Sequence, residues 1–535
     1  MRLVMKFSGA AVSLLVYFTP LMAQGDVDYQ AMVRIRDEGL KRSQVMDHVA
    51  CMTELYGPRL AGTKAYYDAA KWALNKFREF GLVNARMEPW GEIGLGWENS
   101  FTSVHIVKPQ YQSVIAYPLP WTSGTNGKIR AEAVYLDSTS LFSEKDLLPF
   151  RDKVKGKIVC VSPKRALKPN FKPLAVRLSQ EELDDMAALK PSGRSGDEQK
   201  PEGNDVTGSG KISSAGIKPL DIETVLSFLK TEGAVAAVFP GDQIGAGPMD
   251  KGVVLVNTGR PLKKGDPRPI ATAIFAAEHY NRILRILEKG IAVTIEINMA
   301  NTFTAENVED YSIIAEITGS DLKNEVVMLG AHFDGKSAGT AATDNAAGCA
   351  IVMEAMRILK QIGVTPRRTI RVALWGAEEW GMLGSKGYVN KYLFDAMAKK
   401  KLQGYDDFSV YFNVDWYGRF RGIYLQGNDL ARPIFDDWMK PFHDLGMTYL
   451  VPGNTGGTDH MAFYEAGLPA FQFIQDDLEF FTTTFHTNMD VYDRLVADDL
   501  KQAAVVLAGF VLNAAMSQEK IPRYGSENKD RRWHK

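Results

Sequence analysis

From about Val308 onward the sequence alternates between two textures, and this alternation limits the fold more than any other feature. "YSIIAEIT" and "EVVMLGAH" are short, apolar and rich in β-branched residues, as strands are. Residues 345–361 carry the spacing of a buried helix. "RTIRVALWG", "SVYFNVDW" and "PAFQFIQ" repeat the strand texture. "EEWGMLGSKGYVNKY", "ARPIFDDWMKPFHDLG" and "ADDLKQAAVVLAGFVLNAAM" repeat the helical one. Strands alternating with helices predict a doubly wound α/β sheet, and such sheets bind ligands beyond the carboxyl ends of their strands.

Metal-capable side chains gather at those ends. One strand runs into His332 and Asp334, the next into Glu378 and Glu379, a third into Asp415, and the loop after "PAFQFIQ" carries His486. Asp344 stands at the start of the helix that follows His332. Taken singly, each has an ordinary reading. An Asp before a helix caps it, two Glu at a helix start complement its dipole, and a lone His is structural. Taken together, two imidazoles and three carboxylates with one carboxylate to spare match what a pair of zinc ions requires. The spare is Glu378, placed to act as a base. The small residues of "GAHFDGKSAGTAATDNAAG" are expected to leave room for metal and substrate.

The rest of the chain is less chemical. "MRLVMK" followed by "FSGAAVSLLVYFTPLMA" reads as a signal peptide over residues 1–23, implying a secreted or periplasmic protein. Beyond it, no apolar run long enough to span a bilayer is read, so no membrane partner is expected after cleavage. "YYDAAKWALNKFREFGL" places Ala69, Trp72, Ala73, Phe77 and Phe80 on one helical stripe ended by Gly81. From about 121 to 300 the runs "AEAVYLD", "GKIVCVS", "GAVAAVFPG" and "KGVVLVNTG" look like strands of a β-rich insertion. They are interrupted by the polar stretch 190–216, read as a mobile loop. Three cysteines, Cys51, Cys160 and Cys349, are too few and too scattered for a disulfide framework. A formal net charge of −1 argues against nucleic acid as a partner. Residues 521–535 form a charged tail.

Five segments in order, "GAHFDGKSAGTAATDNAAG", "WGAEEWGMLGS", "NVDWYG", "GTDHMAFYEAGLPA" and "FHTNMDVYDRL", resemble the motifs of the co-catalytic two-zinc aminopeptidase family. The plasma glutamate carboxypeptidase-like subgroup is the nearest match. "YGPRLAGTKAYYDAAKWALNKFREFGL" and "EPWGEIGLGWE" resemble its N-terminal segment, and "GKIVCVS" and "GAVAAVFPG" its inserted protease-associated domain. The resemblance implies a peptidase domain split into 24–120 and 301–520 around an insertion at 121–300 that walls one side of the cleft. It implies two Zn2+ per chain. His332 and Asp415 would be terminal ligands of one ion, Glu379 and His486 of the other, and Asp344 the bridge. Glu378 would be the general base, acting on a hydroxide held between the ions, and Asp334 would orient the imidazole of His332. A cis peptide is implied after Asp344.

Thr458, Asp459, His460 and Phe485 are expected along the substrate. Phe485 departs from the family, which has a tyrosine there to polarise the carbonyl; Tyr464 and Tyr492 are the substitutes to test. The implied substrates are short peptides or dipeptides with a free N-terminus, and relatives imply a homodimer. Two readings compete: a receptor-like scaffold without catalysis, and a single-zinc glutaminyl cyclase-like acyltransferase.

Overall fold

The computed structural model describes residues 27–189, 218–241, 251–257, 259–306 and 308–524. The signal peptide expected at 1–23 and the loop expected at 190–216 lie outside them, as do the last eleven residues of the tail. The first residues of that tail are packed: Ile521 is buried, and Arg523 donates to the carbonyls of Tyr405 and Phe408.

Two eight-stranded sheets organise the chain. In the first, the strands Arg368–Trp375, Leu322–His332, Phe408–Asn413 and Ala470–Gln475 lie side by side and parallel. Antiparallel strands Val308–Ile317 and Val83–Gly94 extend one edge; Phe420–Tyr424 and Tyr449–Val451 extend the other. The four central strands are almost continuously apolar because both faces are covered. Val327, Leu329, Ile370, Val372 and Phe412 point to one core, shared with the helices Tyr29–Lys41, Lys64–Glu79, Ala347–Gln361 and Ala497–Met516. Met328, Ala373, Trp375 and Tyr411 point to the other, closed by Leu383–Tyr392 and His460–Glu465. The doubly wound mixed sheet is therefore present.

The helix Ala497–Met516 has the length and hydropathy of a bilayer span, contrary to the expectation that no such run lies this far along the chain. Its burial in the first core accounts for that composition: Leu500, Val505, Phe510 and Val511 are within a few per cent of full burial. Each such side chain stabilises the fold by roughly 1.5–3 kcal/mol.

The second sheet runs in the order Gln112–Ser113, Trp97–Lys108, Thr294–Phe303, Ile129–Tyr135, Ile158–Cys160, Ala236–Pro240, Thr272–Phe275, Ala116–Pro118. Its first strand begins at Trp97, so this unit starts ahead of the boundary expected at 121. The polar pattern of "ENSFTSVHIV" hides the strand, because one face of it is exposed. Of "KGVVLVNTG", read as a strand, the described residues 251–257 join neither sheet. Instead its Leu255 forms an isolated antiparallel bridge to Thr487, in the loop that carries His486. A second connection crosses the same way. Val176 bridges Leu478, Thr482 donates to the Leu174 carbonyl, and Arg177 pairs with the buried carboxylates of Asp476 and Asp499.

Candidate metal and catalytic site

All five expected ligands converge at the carboxyl edge of the parallel strands. His332 ends its strand, Asp415 follows Asn413 by two residues, and Glu378 and Glu379 follow Trp375 in a tight turn. The helix expected over 378–392 is broken there. Ala377, Gly381 and Met382 all adopt positive φ, so the chain doubles back and the helix proper starts at Leu383. That break brings both carboxylates to the sheet edge.

Asp344 sits between the two imidazoles. Its Oδ1 lies 3.0 Å from His332 Nε2 and its Oδ2 lies 3.2 Å from His486 Nε2. His332 Nε2 is also 3.3 Å from Asp415 Oδ1, and His486 Nε2 is 2.9 Å from Glu379 Oε2. The side chains thus form two sets of three, His332–Asp344–Asp415 and Asp344–Glu379–His486, sharing Asp344. The Asp344–Asn345 peptide is cis. Asp344 does not cap the following helix. Asn345 takes that role, its Oδ1 accepting from the Gly348 N–H.

The cluster concentrates carboxylate charge around two buried imidazoles. Burial opposes charge on His486, and Glu379 and Asp344 overcome it, holding the imidazole up at about 9. The carboxylates of Asp415, Asp334 and Asp344 likewise overcome burial to raise His332. Burial, with further push from Asp459, Asp415 and Glu379, raises Glu378 well above the ordinary carboxyl range. Glu379 Oε1 is buried with no hydrogen-bond partner. A buried acceptor left open in a set of imidazole and carboxylate donors fits a zinc-type ion.

Supporting contacts hold the set in place. His332 Nδ1 meets the backbone carbonyl of Asp334 at 3.1 Å, while the Asp334 carboxylate is farther, at 3.8 Å. The carboxylate instead accepts from the backbone N–H groups of Glu378 (3.0 Å) and Glu379 (3.3 Å). The expected role of Asp334 therefore divides: its main chain orients the imidazole and its side chain fixes the turn bearing both glutamates. Asp415 is steadied from below by a relay absent from the sequence reading. Trp375 Nε1 donates to Tyr411 Oη, Tyr411 to Asn413 Oδ1, Asn413 to Gln472 Oε1, and Gln472 to the Asp415 carbonyl.

The loop after His332 is not an open space. Phe333–Ala347 is largely buried, and its small residues answer to packing. A side chain at Gly339 would collide with the carbonyls of Thr487 and Asp490, and one at Gly348 with Asn345 and the Val414 carbonyl. Arg59, also missed, reaches in from the N-terminal segment. Fully buried, it donates to the carbonyls of Met52, Gly57, Phe333, Thr340 and Ala341.

A cavity of about 320 Å³ opens on the cluster. Thr458 and Phe485 line it as expected, with Met382, Trp416, Phe480 and Phe481. Asp459 and His460 do not. Asp459 is buried against Ser385 Oγ, and His460 lies within hydrogen-bonding distance of Gln426 and the Thr455 carbonyl. Both belong to the helix start behind the wall, where burial holds the His460 imidazole down at about 4. Tyr464 and Tyr492 do not line the cavity either. Every described lining residue falls between His332 and His486, so no described residue of the insertion walls this cavity; Asn257 reaches the site from behind His486.

Residues 312–511, which contain all five expected ligands, match the sequence profile of Peptidase family M28. Carboxypeptidase Q of Pongo abelii is 24% identical over 94% of this chain and 92% of its own length. Among solved structures, a peptidase M28 precursor from Shewanella amazonensis superposes with a TM-score of 0.63 at 23% identity, covering 93% of this chain and 98% of that one. A zinc aminopeptidase from Bacillus subtilis gives 0.54 at 19% identity, covering 91% and 98%. The likeness of the motifs to this peptidase family is borne out.

Proposed function

We propose, from the premise that residues 312–511 are a peptidase family M28 domain with zinc metallopeptidase chemistry, that this protein is a two-zinc exopeptidase acting at free N-termini. The observation that carries the count of two is Asp344, whose separate oxygens face separate imidazoles. His332, Asp344 and Asp415 would hold one ion; Asp344, Glu379 and His486 the other. Zinc, when bound, acidifies water and polarises a carbonyl.

The chain's own residues supply the rest. Glu378, lining the cavity beside the two ligand sets, takes the proton of the attacking water and returns it to the leaving amine. Trp416, Phe480, Phe481 and Phe485 form the apolar wall against which the first side chain lies. Phe485 offers no hydroxyl. Thr458 Oγ1 already accepts from Asn413 Nδ2, which leaves its O–H to donate toward the substrate carbonyl.

Cleavage from the N-terminus is favoured over cleavage from the C-terminus. A terminal carboxylate calls for a cation, and among the described lining residues none is Lys or Arg. Lys336 is committed to the Glu379 carbonyl and the Trp380 ring. The protein is read as secreted or periplasmic, consistent with the apolar leader.

The test is digestion of matched peptides with free, N-acetylated and C-amidated ends, alongside metal analysis. Free and amidated peptides should be cut and acetylated ones spared, with two zincs per chain. Glu378→Gln should keep the metal and lower kcat by about 10²–10⁴-fold. Equal cleavage of acetylated peptides, or release from the C-terminus, overturns the reading.

A further inference from the structure

The run 251–257 belongs to the segment between Trp97 and Phe303 that builds the second sheet, yet it lies along the loop that carries His486. Val256 N–H donates to the His486 carbonyl at 3.1 Å, Leu255 bridges Thr487, and Val254 exchanges bonds with Asn488. At the end of this contact, Asn257 Oδ1 lies 2.6 Å from His486 Nδ1. His486 itself sits at φ 56, a left-handed conformation that a residue with a side chain rarely holds unaided. Phe485 stacks on one face of its ring at 3.6 Å. Stacking fixes the plane of the ring; the Nδ1 contact sets its tautomer and helps to fix its rotation within that plane.

We infer that Asn257 is a positioning residue for the metal centre. Its amide oxygen accepts the Nδ1–H of His486, which leaves the Nε2 lone pair aimed at the point between Asp344 and Glu379. This rests on the reading of His486 as a ligand. A neutral imidazole binds metal through one nitrogen only when the other holds the hydrogen, and a partner for that hydrogen selects the tautomer. Half of the metal centre is thus held by a residue outside the M28 segment, far from any ligand in sequence and adjacent to one in space. A connecting run of the segment that builds the second sheet then completes the site rather than decorating it.

The experiment titrates the purified full chain, freed of metal, with Zn2+ against a competing chelator, and with Co2+ read by its visible absorption. Asn257→Ala and Asn257→Leu should weaken the second equivalent about 10–100-fold, the range for partners of ligand imidazoles, while the first equivalent and the melting temperature stay near wild type. Asn257→Asp, which keeps an acceptor in place, should restore the second equivalent. His486→Ala, run in parallel, should abolish it. If His486→Ala loses the second ion and Asn257→Ala does not, the role of Asn257 is refuted while the two-zinc reading stands. If wild type binds only one ion, or His486→Ala still binds two, both are refuted. Equal weakening of both equivalents in Asn257→Ala also refutes the inference, since it reports general loosening.

Discussion

His332 and His486 face the same carboxylate from opposite sides, and the chain secures them in opposite ways. His332 ends a strand in the middle of a parallel sheet, and its Nδ1 partner is the carbonyl two residues on. Its own carbonyl accepts from Cys349 Sγ on the following helix, and Arg59 beneath it holds the next carbonyl, that of Phe333. His486 stands on a long loop between the strand Ala470–Gln475 and the helix Ala497–Met516, and its Nδ1 partner comes from the other sheet unit. A sheet end is rigid by construction, whereas a loop must be held. The loop 476–490 is held at Leu478 and Thr482 by residues 174–176 and at 486–488 by residues 254–257.

The largest expected effect breaks the self-contained half. Arg59→Met removes five hydrogen bonds to main-chain carbonyls and should cost about 3–5 kcal/mol in urea unfolding, since hydrogen bonds from a charged donor are worth ~1.5–3 kcal/mol each before relaxation. Next comes Asp334→Asn, which keeps the main-chain bond to His332 but weakens the anchor of the 378–379 turn. Turnover should fall about 10–100-fold with zinc content unchanged; loss of zinc would instead mean that the side chain serves the ligand directly.

His460 supplies a comparison outside both halves: a buried imidazole with no metal to hold. Its value falls from 6.5 to about 4 on folding. The unfolded chain therefore binds a proton that the folded one refuses, and stability is lost as pH falls through that window. The loss should reach roughly 2 kcal/mol by pH 5. His460→Gln should flatten that slope between pH 7 and pH 5 in paired urea titrations.

The smallest effect belongs to the outer strap. Arg177→Met removes one of two arginines on each of Asp476 and Asp499, since Arg421 and Arg419 remain. About 1 kcal/mol should be lost. A loss above ~3 kcal/mol would make the strap as important to the loop as Arg59 is to the sheet half.

The two halves also differed in how well they could be read. The strands Leu322–His332, Arg368–Trp375 and Ala470–Gln475 and the helix Ala497–Met516 were visible as apolar runs, because a strand buried on both faces has no polar alternation to obscure it. His332, Asp415 and the glutamates were visible because each falls within four residues of such a strand. Asn257 was not. Its run looks like a strand, and nothing local says that its partner would be a loop over two hundred residues away. Arg59 reads as an ordinary surface cation until five carbonyls surround it. The broken turn at 377–382 was hidden because Ala and Met carry no signal for positive φ. The openness once inferred for the glycine-rich loop was mistaken for the same reason: smallness in a sequence does not say whether the space is left for a guest or taken by the chain itself.

The bridge between 255 and 487 has a consequence for biosynthesis. As the chain leaves the ribosome, the second sheet and Asn257 emerge before any ligand does. His332, Asp344, Glu379 and Asp415 follow, and His486 comes last. A polypeptide interrupted anywhere before that residue lacks one imidazole and the loop that carries it. On the proposed reading, the metal site would therefore stay incomplete through almost all of the chain's own synthesis.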